Sequence, residues 1–338
     1  MKLAHLTSLL LLALSAACSK QDSAPPSQPA ASSPATESAP AQPASPAEPP
    51  KLDGPTAGDI LQKMQDAYAA ITNYSAKGKT VSVFDMSRVD LSKMPGMPAG
   101  GAKSAEAKAA LAAQQSITHD FTLKLGRPGH YQIEWTQTAA TVPGMRMGKG
   151  AVWSDGASHY LMISPERYSK IQGRDMALAG ATGISGGAAQ TVPSLFFDLP
   201  VSLLKQLQRV ARWPDESIEN EACYVVEGWV AGSMQMRLWI TKNGHLLKQR
   251  RHILGNTIQA PPMTDNDIRQ SLKAMNQEAT PEAIQQMRKT MENAMAMASQ
   301  LKGSMTETHS DIRINQSLTP ADLEFKPPPD AQLAPAPF

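Results

Sequence analysis

The chain has little cysteine and no excess of charge of either sign. Only Cys18 and Cys223 occur among its 338 residues, so at most one disulfide is possible, and none if Cys18 is modified. Cys223 lies in an apolar segment, which favours a buried and inert thiol. The 32 Lys and Arg residues balance 30 Asp and Glu residues, and the longest group of cations is the short run 248–251. We interpret this run as solvated cations on the outer face of one strand, and we expect no nucleic-acid partner.

Signals of catalysis and of metal binding are also weak. Residues 183–187 match G-x-S-x-G around Ser185, but a nucleophile elbow needs a strand before the motif and a helix after it. A flexible loop is therefore the favoured interpretation, with an esterase as the alternative. Residues 144–150 have the wrong glycine spacing for a phosphate loop. Six histidines of the later chain show no metal-ligand spacing: His119, His130, His159, His245, His252 and His309. We predict no enzyme, no cofactor and no metal.

The N terminus carries a short apolar run. Lys2 precedes the apolar residues 3–14, and the small residues 15–17 precede Cys18. This order is typical of a secretory signal peptide, and the run is too short for a permanent transmembrane helix. The end of the run resembles the lipobox of bacterial lipoproteins, although Leu14 lies one place earlier than the usual leucine. The resemblance implies lipidation of Cys18 with diacylglyceryl and acyl (palmitate) chains. The alternative is an ordinary cleaved signal.

The segment after Cys18 is a predicted tether. Residues 19–52 are almost wholly Pro, Ala, Ser, Gln and Glu, a composition that cannot bury enough apolar surface to fold. At ~3 Å per residue such a segment reaches on the order of 100 Å. It would hold a folded domain away from a membrane of the bacterial cell envelope. Because Ser19 and not Asp follows the cysteine, the resemblance to lipoproteins favours the outer membrane, facing the periplasm.

The folded region begins with a helix and continues as strands. Thr56 and Asp59 have the spacing of a capping box, and apolar residues from 60 to 71 recur at helical spacing. Further along, apolar and polar residues alternate in about eight to ten segments, the pattern of half-buried antiparallel strands. Two dipeptides predict tight hairpin turns: Asp155-Gly156 and Asn243-Gly244. We predict an α+β fold with a strongly curved antiparallel sheet.

Three insertions interrupt the predicted strands. Residues 90–115 contain an Ala-rich helical piece, and residues 176–190 are a Gly/Ala-rich segment that we predict to be mobile. The largest insertion, residues 264–302, is interpreted as two helices. The predicted organisation is a signal peptide at 1–17, a lipidated cysteine and tether at 18–52, a folded domain at 53–330 and a disordered tail at 331–338.

The second helix of the largest insertion carries a methionine-rich stripe. Thr280 is placed to cap it, with Pro281 at the first helical position. Met287, Met291 and Met295 then follow at helical spacing. One interpretation is packing of this stripe onto the open side of the sheet. The other is an adaptable lid over a lipid-sized cavity, because Met is flexible and polarizable.

Several segments together carry a family resemblance. They are AYAAITNYS at 67–75, LGRPGHYQIE at 125–134, VWSDG at 152–156, ACYVVEG at 222–228, LWITK at 238–242 and LTPADLEFKPP at 318–328. Their order resembles the LolA/LolB-like superfamily of periplasmic lipoprotein carriers and outer-membrane lipoprotein acceptors, above all its branch of predicted periplasmic proteins of unknown function. The resemblance implies an unclosed half-barrel, lidded by helices over an apolar cavity that binds acyl chains without chemistry.

The expected ligand site is the concave face of this sheet. The candidate residues are Phe121, Leu123, Tyr131, Ile133, Trp135, Met234, Met236 and Leu238, with Met287, Met291 and Met295 from the insertion. The predicted function is an anchored envelope lipoprotein that binds a lipid or another apolar ligand as carrier, acceptor or sensor. The alternative is a non-catalytic module with a filled cavity that binds an envelope protein.

Overall fold

The computed structural model describes residues 50, 52–85, 114–140, 148–199, 202–230, 234–254, 265, 268–269, 272, 278–289, 302–316 and 319–336. The strands are β1 Asn73–Asp85, β2 Gln114–Gly126, β3 His130–Ala140, β4 Lys149–Asp155, β5 His159–Ser164, β6 Arg167–Ile171, β7 Leu207–Ile218, β8 Glu221–Val230, β9 Met234–Thr241, β10 Leu247–Leu254, β11 Lys302–Ile314 and β12 Gln332–Ala334. The helices are α1 Ala57–Ala70, α2 Arg174–Thr182, α3 Thr191–Phe196, α4 at 281–289 and α5 Pro320–Leu323, with a 3-10 turn at Leu203–Gln206.

The twelve strands form one open sheet. Their order is β12-β6-β5-β4-β3-β2-β1-β11-β10-β9-β8-β7, and every pairing is antiparallel except that of β12 with β6. Because β12 and β7 stand at opposite ends of this order, the sheet does not close into a barrel. The predicted α+β half-barrel is confirmed. The sequence interpretation missed β6, β7 and β12, which are short or, in β7, interrupted by two irregularities in pairing.

The structure contains the helix cap and the hairpin turns that local sequence signals predict. The Thr56 side chain accepts a hydrogen bond from the Asp59 backbone N–H at 3.2 Å, and the Asp59 carboxylate accepts one from the Thr56 N–H at 3.0 Å. This capping box satisfies two of the N–H groups at the start of α1 that lack helical partners. Both predicted hairpin turns are present, and Gly156 and Gly244 adopt φ angles of 93° and 85° there, which favour glycine.

Two predicted loop regions are structured instead. Residues 176–190 were expected to form a mobile insertion, but they contribute most of α2 and a buried run of turns. Residues 331–338 were expected to be a disordered tail, but 332–334 form β12. A hydrogen bond from the Gln332 N–H to the Glu166 carbonyl, 2.9 Å long, attaches this strand to the start of β6. The Ala-rich piece before residue 114 lies outside the described residues, and the last residues of that insertion, 114 and 115, belong to β2.

The cationic run in β10 is not uniformly solvated, which corrects the sequence interpretation. The register with β9 shifts between Leu247 and Gln249, so a bulge interrupts the alternation of faces. Leu247 and Arg250 are both buried, with Leu247 in the main core, whereas Arg251 is exposed. Lys248 lies against the β7–β8 turn, 2.9 Å from the Glu219 carboxylate. A simple two-residue period would have placed Leu247 and Arg250 on opposite faces.

Helix α4 packs in a small cluster of its own. Thr280 caps it as predicted, its hydroxyl accepting from the Ala283 N–H at 3.2 Å. The described part of α4 contacts the helical residues Ile268 and Leu272 through Ile284 and Met287. Met291 and Met295, like Cys18 and the tether before residue 50, lie outside the described residues. Among the described helices, none is long and apolar enough to cross a membrane.

Candidate functional site

One face of the sheet, which we call the inner face, is covered by α1, α2 and α3. It carries the predicted ligand residues, because the two-residue period of the strands places them together. Phe121 pairs with Trp135 across β2 and β3, and Leu123 pairs with Ile133. Seven of the predicted residues form an apolar surface, here called the inner wall: Phe121, Leu123, Tyr131, Ile133, Trp135, Met236 and Leu238. Each of them is at most 5% exposed. Met234 belongs to β9, but its side chain is not among those that the structure describes.

The inner wall is filled by the helices in this structure. Ile60, Met64 and Tyr68 of α1 are completely buried in the same core cluster as the wall. Residues 174–199, here called the cover segment, supply the rest of the covering through α2, α3 and the turns between them. The cover segment, and not the predicted helix at 281–301, therefore lies on the described part of the inner face.

The cover segment is built largely from small residues. Ala177, Ala181, Ala188 and Ala189 are completely buried in it, and its turns contain three glycines, Gly183, Gly186 and Gly187. Small side chains bring its backbone close to the sheet, but each buries little apolar area. Phe196 is its largest fully buried side chain. Leu178, Val192, Leu195, Phe197 and Leu199 of the segment join Phe196 in the main core, so its larger apolar contacts come from α2, from α3 and from the residues directly after α3.

Arg127, in the β2–β3 turn, ties α1 to α3. Its guanidinium donates to the carbonyls of Tyr68 at 3.2 Å, Ile71 at 2.9 Å and Phe196 at 2.6 Å. The guanidinium carbon also lies 4.8 Å from the centre of the Phe196 ring, within cation–π range. Carbonyls at the ends of helices lack intrahelical partners, so this arginine supplies donors to the carbonyls of Ile71 and Phe196 and a second donor to that of Tyr68, which also accepts from the Ile71 N–H. The contact fixes where both helices end on the inner face.

A group of polar side chains lies within the inner face, and sequence reasoning missed it. We call it the polar cluster: Thr80, His119, Thr191, Arg250, Glu307 and His309. Its centre is an ion pair in which Arg250 Nε donates to Glu307 Oε2 at 2.7 Å, with 1% and 0% of the two side chains exposed. Thr191 of the cover segment donates its hydroxyl to the same oxygen at 2.8 Å. The cover segment therefore bonds directly to this pair.

Glu307 stays charged in dry surroundings because its neighbours offset the cost of burial. Burial by itself would raise the pKa of Glu307, but Arg250, His309 and Thr191 together lower it to about 2. His309 Nε2 lies 3.0 Å from Glu307 Oε1, a contact whose geometry does not make a hydrogen bond. Burial lowers the pKa of His119 to about 4, so this imidazole is neutral at pH 7. The carboxylate is ionised and paired at the same pH.

Several atoms of the polar cluster have no hydrogen-bond partner. They are Thr80 Oγ1, His119 Nδ1, Arg250 Nη2, Glu307 Oε1 and both ring nitrogens of His309. A buried polar atom without a partner costs ~1–3 kcal/mol, and most such atoms in proteins are satisfied. A cluster of them on one face is therefore a departure from ordinary core packing. In the sequence, the only trace was the alternation of Glu307 and His309 on one face of β11.

Two glycines of the cover segment lie against the polar cluster. A Cβ atom on Gly186 would stand 2.8 Å from His119 Nδ1, and one on Gly187 would stand 2.5 Å from Arg250 Nη2. Their φ angles are 64° and 96°, in the region that favours glycine. Only glycine allows such a close approach with this backbone. Gly187, the last glycine of the G-x-S-x-G match, therefore serves close packing.

Ser185 has a structural role in the cover segment. It is fully buried and follows helix α2, whereas an elbow requires a preceding strand. Its hydroxyl donates to the Thr182 carbonyl at 3.2 Å and accepts from the Ala189 N–H at 3.1 Å. Cys223 is buried beside Val225 and Trp239 on the other face, and burial raises its thiol pKa to about 11. Neither side chain has the environment of an activated nucleophile.

The opposite, outer face carries a groove of about 620 Å³. Lys77, Lys79, Asp120 and Glu134 line it together with several threonines, so its charge is mixed. Asp311 pairs with Lys77 at 3.0 Å close by, and both side chains are mostly exposed. Among the described residues, no three His, Cys, Asp or Glu side chains are grouped so as to hold a metal ion.

Comparisons with known proteins give a likeness in fold. No protein-family model and no curated protein matches the chain. Among solved structures, LprF from Mycobacterium bovis is 12% identical at a TM-score of 0.38, covering 82% of this chain and 97% of that one. The lipoprotein LppX from Mycobacterium tuberculosis is 11% identical at 0.33, covering 77% and 95%. A LolA superfamily protein from Nitrosomonas europaea is 10% identical at 0.26, covering 80% and 99%.

Proposed function

We propose that this chain is a non-catalytic, lipid-anchored protein of the bacterial cell envelope that binds an acyl chain or a similar apolar ligand on its inner wall. The observation that carries the proposal is the inner wall itself. It is an apolar surface in two parts, on β2–β3 and on β9 of an open sheet, and a separate segment that contains many small residues covers it.

Binding requires the ligand to replace part of the cover segment. An acyl chain gains ~0.8 kcal/mol for each methylene that it buries, so a chain of about twelve carbons gains on the order of 10 kcal/mol. The alanines and glycines that it would displace bury much less apolar area. The exchange therefore increases the apolar area that is buried on the wall. This gain supports a ligand with one long chain.

The anchor is part of the proposal. Cys18 follows the small residues 15–17 and precedes a Pro/Ala/Ser-rich tether, an order that supports lipidation at that cysteine. With the lipid in a membrane, the tether would let the half-barrel reach ligands away from its own bilayer. Ser19 supports the outer membrane, facing the periplasm. The role would be that of carrier, acceptor or sensor.

A second function is supported by the filling of the inner face. With α1 and the cover segment in place, the described inner wall is as dry as an ordinary core. The outer groove beside Lys77 and Asp120, with charged, threonine and apolar residues in its lining, then offers a surface for a partner protein of the envelope. In this case the protein would be a non-catalytic interaction module.

Two tryptophans distinguish these functions. Trp135 lies on the inner wall, and Trp153 packs with Tyr160, Tyr168 and Phe325 in a separate cluster. The two tryptophans are 5% and 6% exposed, so each Trp→Ala change removes a similarly buried ring. Each should cost ~3–5 kcal/mol of stability. If the inner wall binds ligand, only Trp135→Ala should also weaken saturable binding of a fluorescent fatty acid. Equal effects of both variants, or no saturable binding by the wild type, would exclude the acyl-binding function and favour the interaction module.

A further inference from the structure

The polar cluster lies between two apolar parts of the inner wall. On one side, the Phe121 ring meets the His309 ring edge to face, with centres 5.5 Å apart. On the other side, Arg250 of β10 pairs in register with Leu238 of β9. Neighbouring strands are about 4.8 Å apart, so the cluster adjoins the apolar surface on both flanks. An apolar chain on the wall would have one end next to these polar groups.

Three side chains with unsatisfied atoms, Arg250, Thr80 and His119, can donate to a hydrogen-bond acceptor, whereas the unsatisfied Glu307 Oε1 only accepts and lies 3.0 Å from His309 Nε2. Arg250 Nε bonds to Glu307, and Nη1 lies 3.0 Å from His252 Nε2, but Nη2 has no partner. Arginine nitrogens only donate, and the Thr80 hydroxyl and a neutral His119 ring can each donate one hydrogen bond. Oxygens of a carboxylate or a phosphate accept such bonds, and they bond to guanidinium groups more strongly than neutral oxygens do.

The cover segment touches these donors without satisfying them. Gly187 lies against Arg250 Nη2, yet its carbonyl accepts from the Gln190 N–H and its own N–H donates to Thr182. Its backbone groups are thus used inside the segment. Residues 183–190 fill the place of a ligand sterically, but they leave its polar contacts unmade.

We propose that the polar cluster binds the anionic head group of a single-chain amphiphile, a carboxylate or a phosphate monoester, whose chain lies on the inner wall in place of residues 183–190. This inference rests on the proposed function and adds the chemical class of the head. Arg250 Nη2 and the side chains of Thr80 and His119 are its donors. The Arg250–Glu307 pair holds the guanidinium in position.

The test compares probes that share one chain and differ in the head. The full chain with Cys18→Ser is used, because it keeps every described residue and needs no detergent if the anchor is absent. Dodecanoate and dodecyl phosphate carry anionic heads, dodecanol a neutral head and dodecyltrimethylammonium a cationic head. Inorganic phosphate is the free anion. We expect the anionic amphiphiles to bind about tenfold more tightly than dodecanol, the gain of one charge-assisted hydrogen bond.

Variants of the cluster test which groups provide this preference. Arg250→Gln with Glu307→Gln removes the pair without leaving a lone charge, and it should abolish the preference while dodecanol affinity stays. His119→Leu leaves the ion pair intact and should reduce the preference, which keeps the test available if the double variant does not fold. Lys248→Gln is the matched control, because Lys248 is also a buried cation of β10 and pairs with Glu219. It should keep the full preference.

The possible failures can be told apart. Equal binding of dodecanoate, dodecanol and the cationic probe would overturn the head-group site and leave acyl binding in place. If inorganic phosphate binds as tightly as dodecyl phosphate, the cluster is a site for a free anion. That result would overturn the proposal that its ligand is an amphiphile. An unchanged preference in both His119→Leu and the folded double variant would place the head elsewhere. Absence of binding by every dodecyl probe would overturn the proposed function together with this inference.

Discussion

Arg250 and Glu307 form a completely buried ion pair on the inner face of the open sheet, with Nε and Oε2 2.7 Å apart. The pair joins β10 to β11, where these two residues stand directly opposite each other. It also holds the cover segment, since Thr191 donates to the same carboxylate oxygen. One interaction thus connects the centre of the sheet to the segment that covers it.

Removal of one partner of this pair should be far more harmful than removal of both. Arg250→Met leaves a buried carboxylate without its cation, and we expect a loss of ~3–5 kcal/mol in the free energy of unfolding. The double variant Arg250→Met with Glu307→Leu should recover most of this loss. Urea denaturation of the two single variants and the double variant would give the coupling energy. Additive losses would contradict the ion pair as the main contact of these residues.

Alanine at Gly187 should destabilise the protein more than alanine at Gly173. Both glycines have positive φ angles, 96° and 88°, so both variants carry a similar backbone strain. Only at Gly187 would the new Cβ collide, 2.5 Å from Arg250 Nη2, because nothing lies within 4 Å of the one at Gly173. We expect an additional loss of ~1–3 kcal/mol for Gly187→Ala, measured by urea denaturation. Equal losses would mean that the cover segment does not press on the polar cluster.

The stability of the protein should fall as the pH drops below about 6.5, and His119 should contribute to this fall. Its pKa is lowered by burial from 6.5 in the unfolded chain to about 4 in the folded one, so the unfolded state binds more protons between these values. The contribution is fully present above pH 6.5 and falls by about 3 kcal/mol as the pH decreases to 4.

His119→Gln removes this titration and should flatten the stability profile between pH 6.5 and 4. Glu307 acts in a lower window, because its pKa of about 2 lies below the ordinary value of 4.5. Its contribution is present above pH 4.5 and is lost as the pH falls toward 2. Unfolding midpoints of wild type and His119→Gln across this range are the measurement. Parallel profiles for the two proteins would show that His119 is hydrated in the folded state.

Replacement of Cys18 should release the protein from the membrane. A thiol is required for the thioether bond to a diacylglyceryl group, so Cys18→Ser should be recovered in the soluble periplasmic fraction. Metabolic labelling with a fatty-acid analogue should mark the wild type only. Cys223→Ser is the control and should keep the label, because Cys223 is buried in the folded domain. Equal labelling of wild type and Cys18→Ser would exclude the anchor.

Much of the sheet could be predicted from the sequence, because local patterns determine it. The alternation around Phe121 and Ile133 placed these residues on one face, and the Asp155-Gly156 turn fixed a hairpin. Seven of the predicted ligand residues indeed share the inner wall. Strands with weak patterns were missed, such as β12 with its three residues and β7 with its shifts in register.

The polar cluster was decided by the tertiary structure. A bulge at Lys248 placed Leu247 and Arg250 on the same face, and no two-residue period predicts that shift. Glu307 lies 57 residues away from Arg250 in the chain, and Thr191 lies 116 residues from Glu307. The sequence by itself determined which residues are apolar and how they alternate. Only the folding of the cover segment onto the sheet decided which polar groups are buried, because burial and pairing depend on contacts between distant parts of the chain.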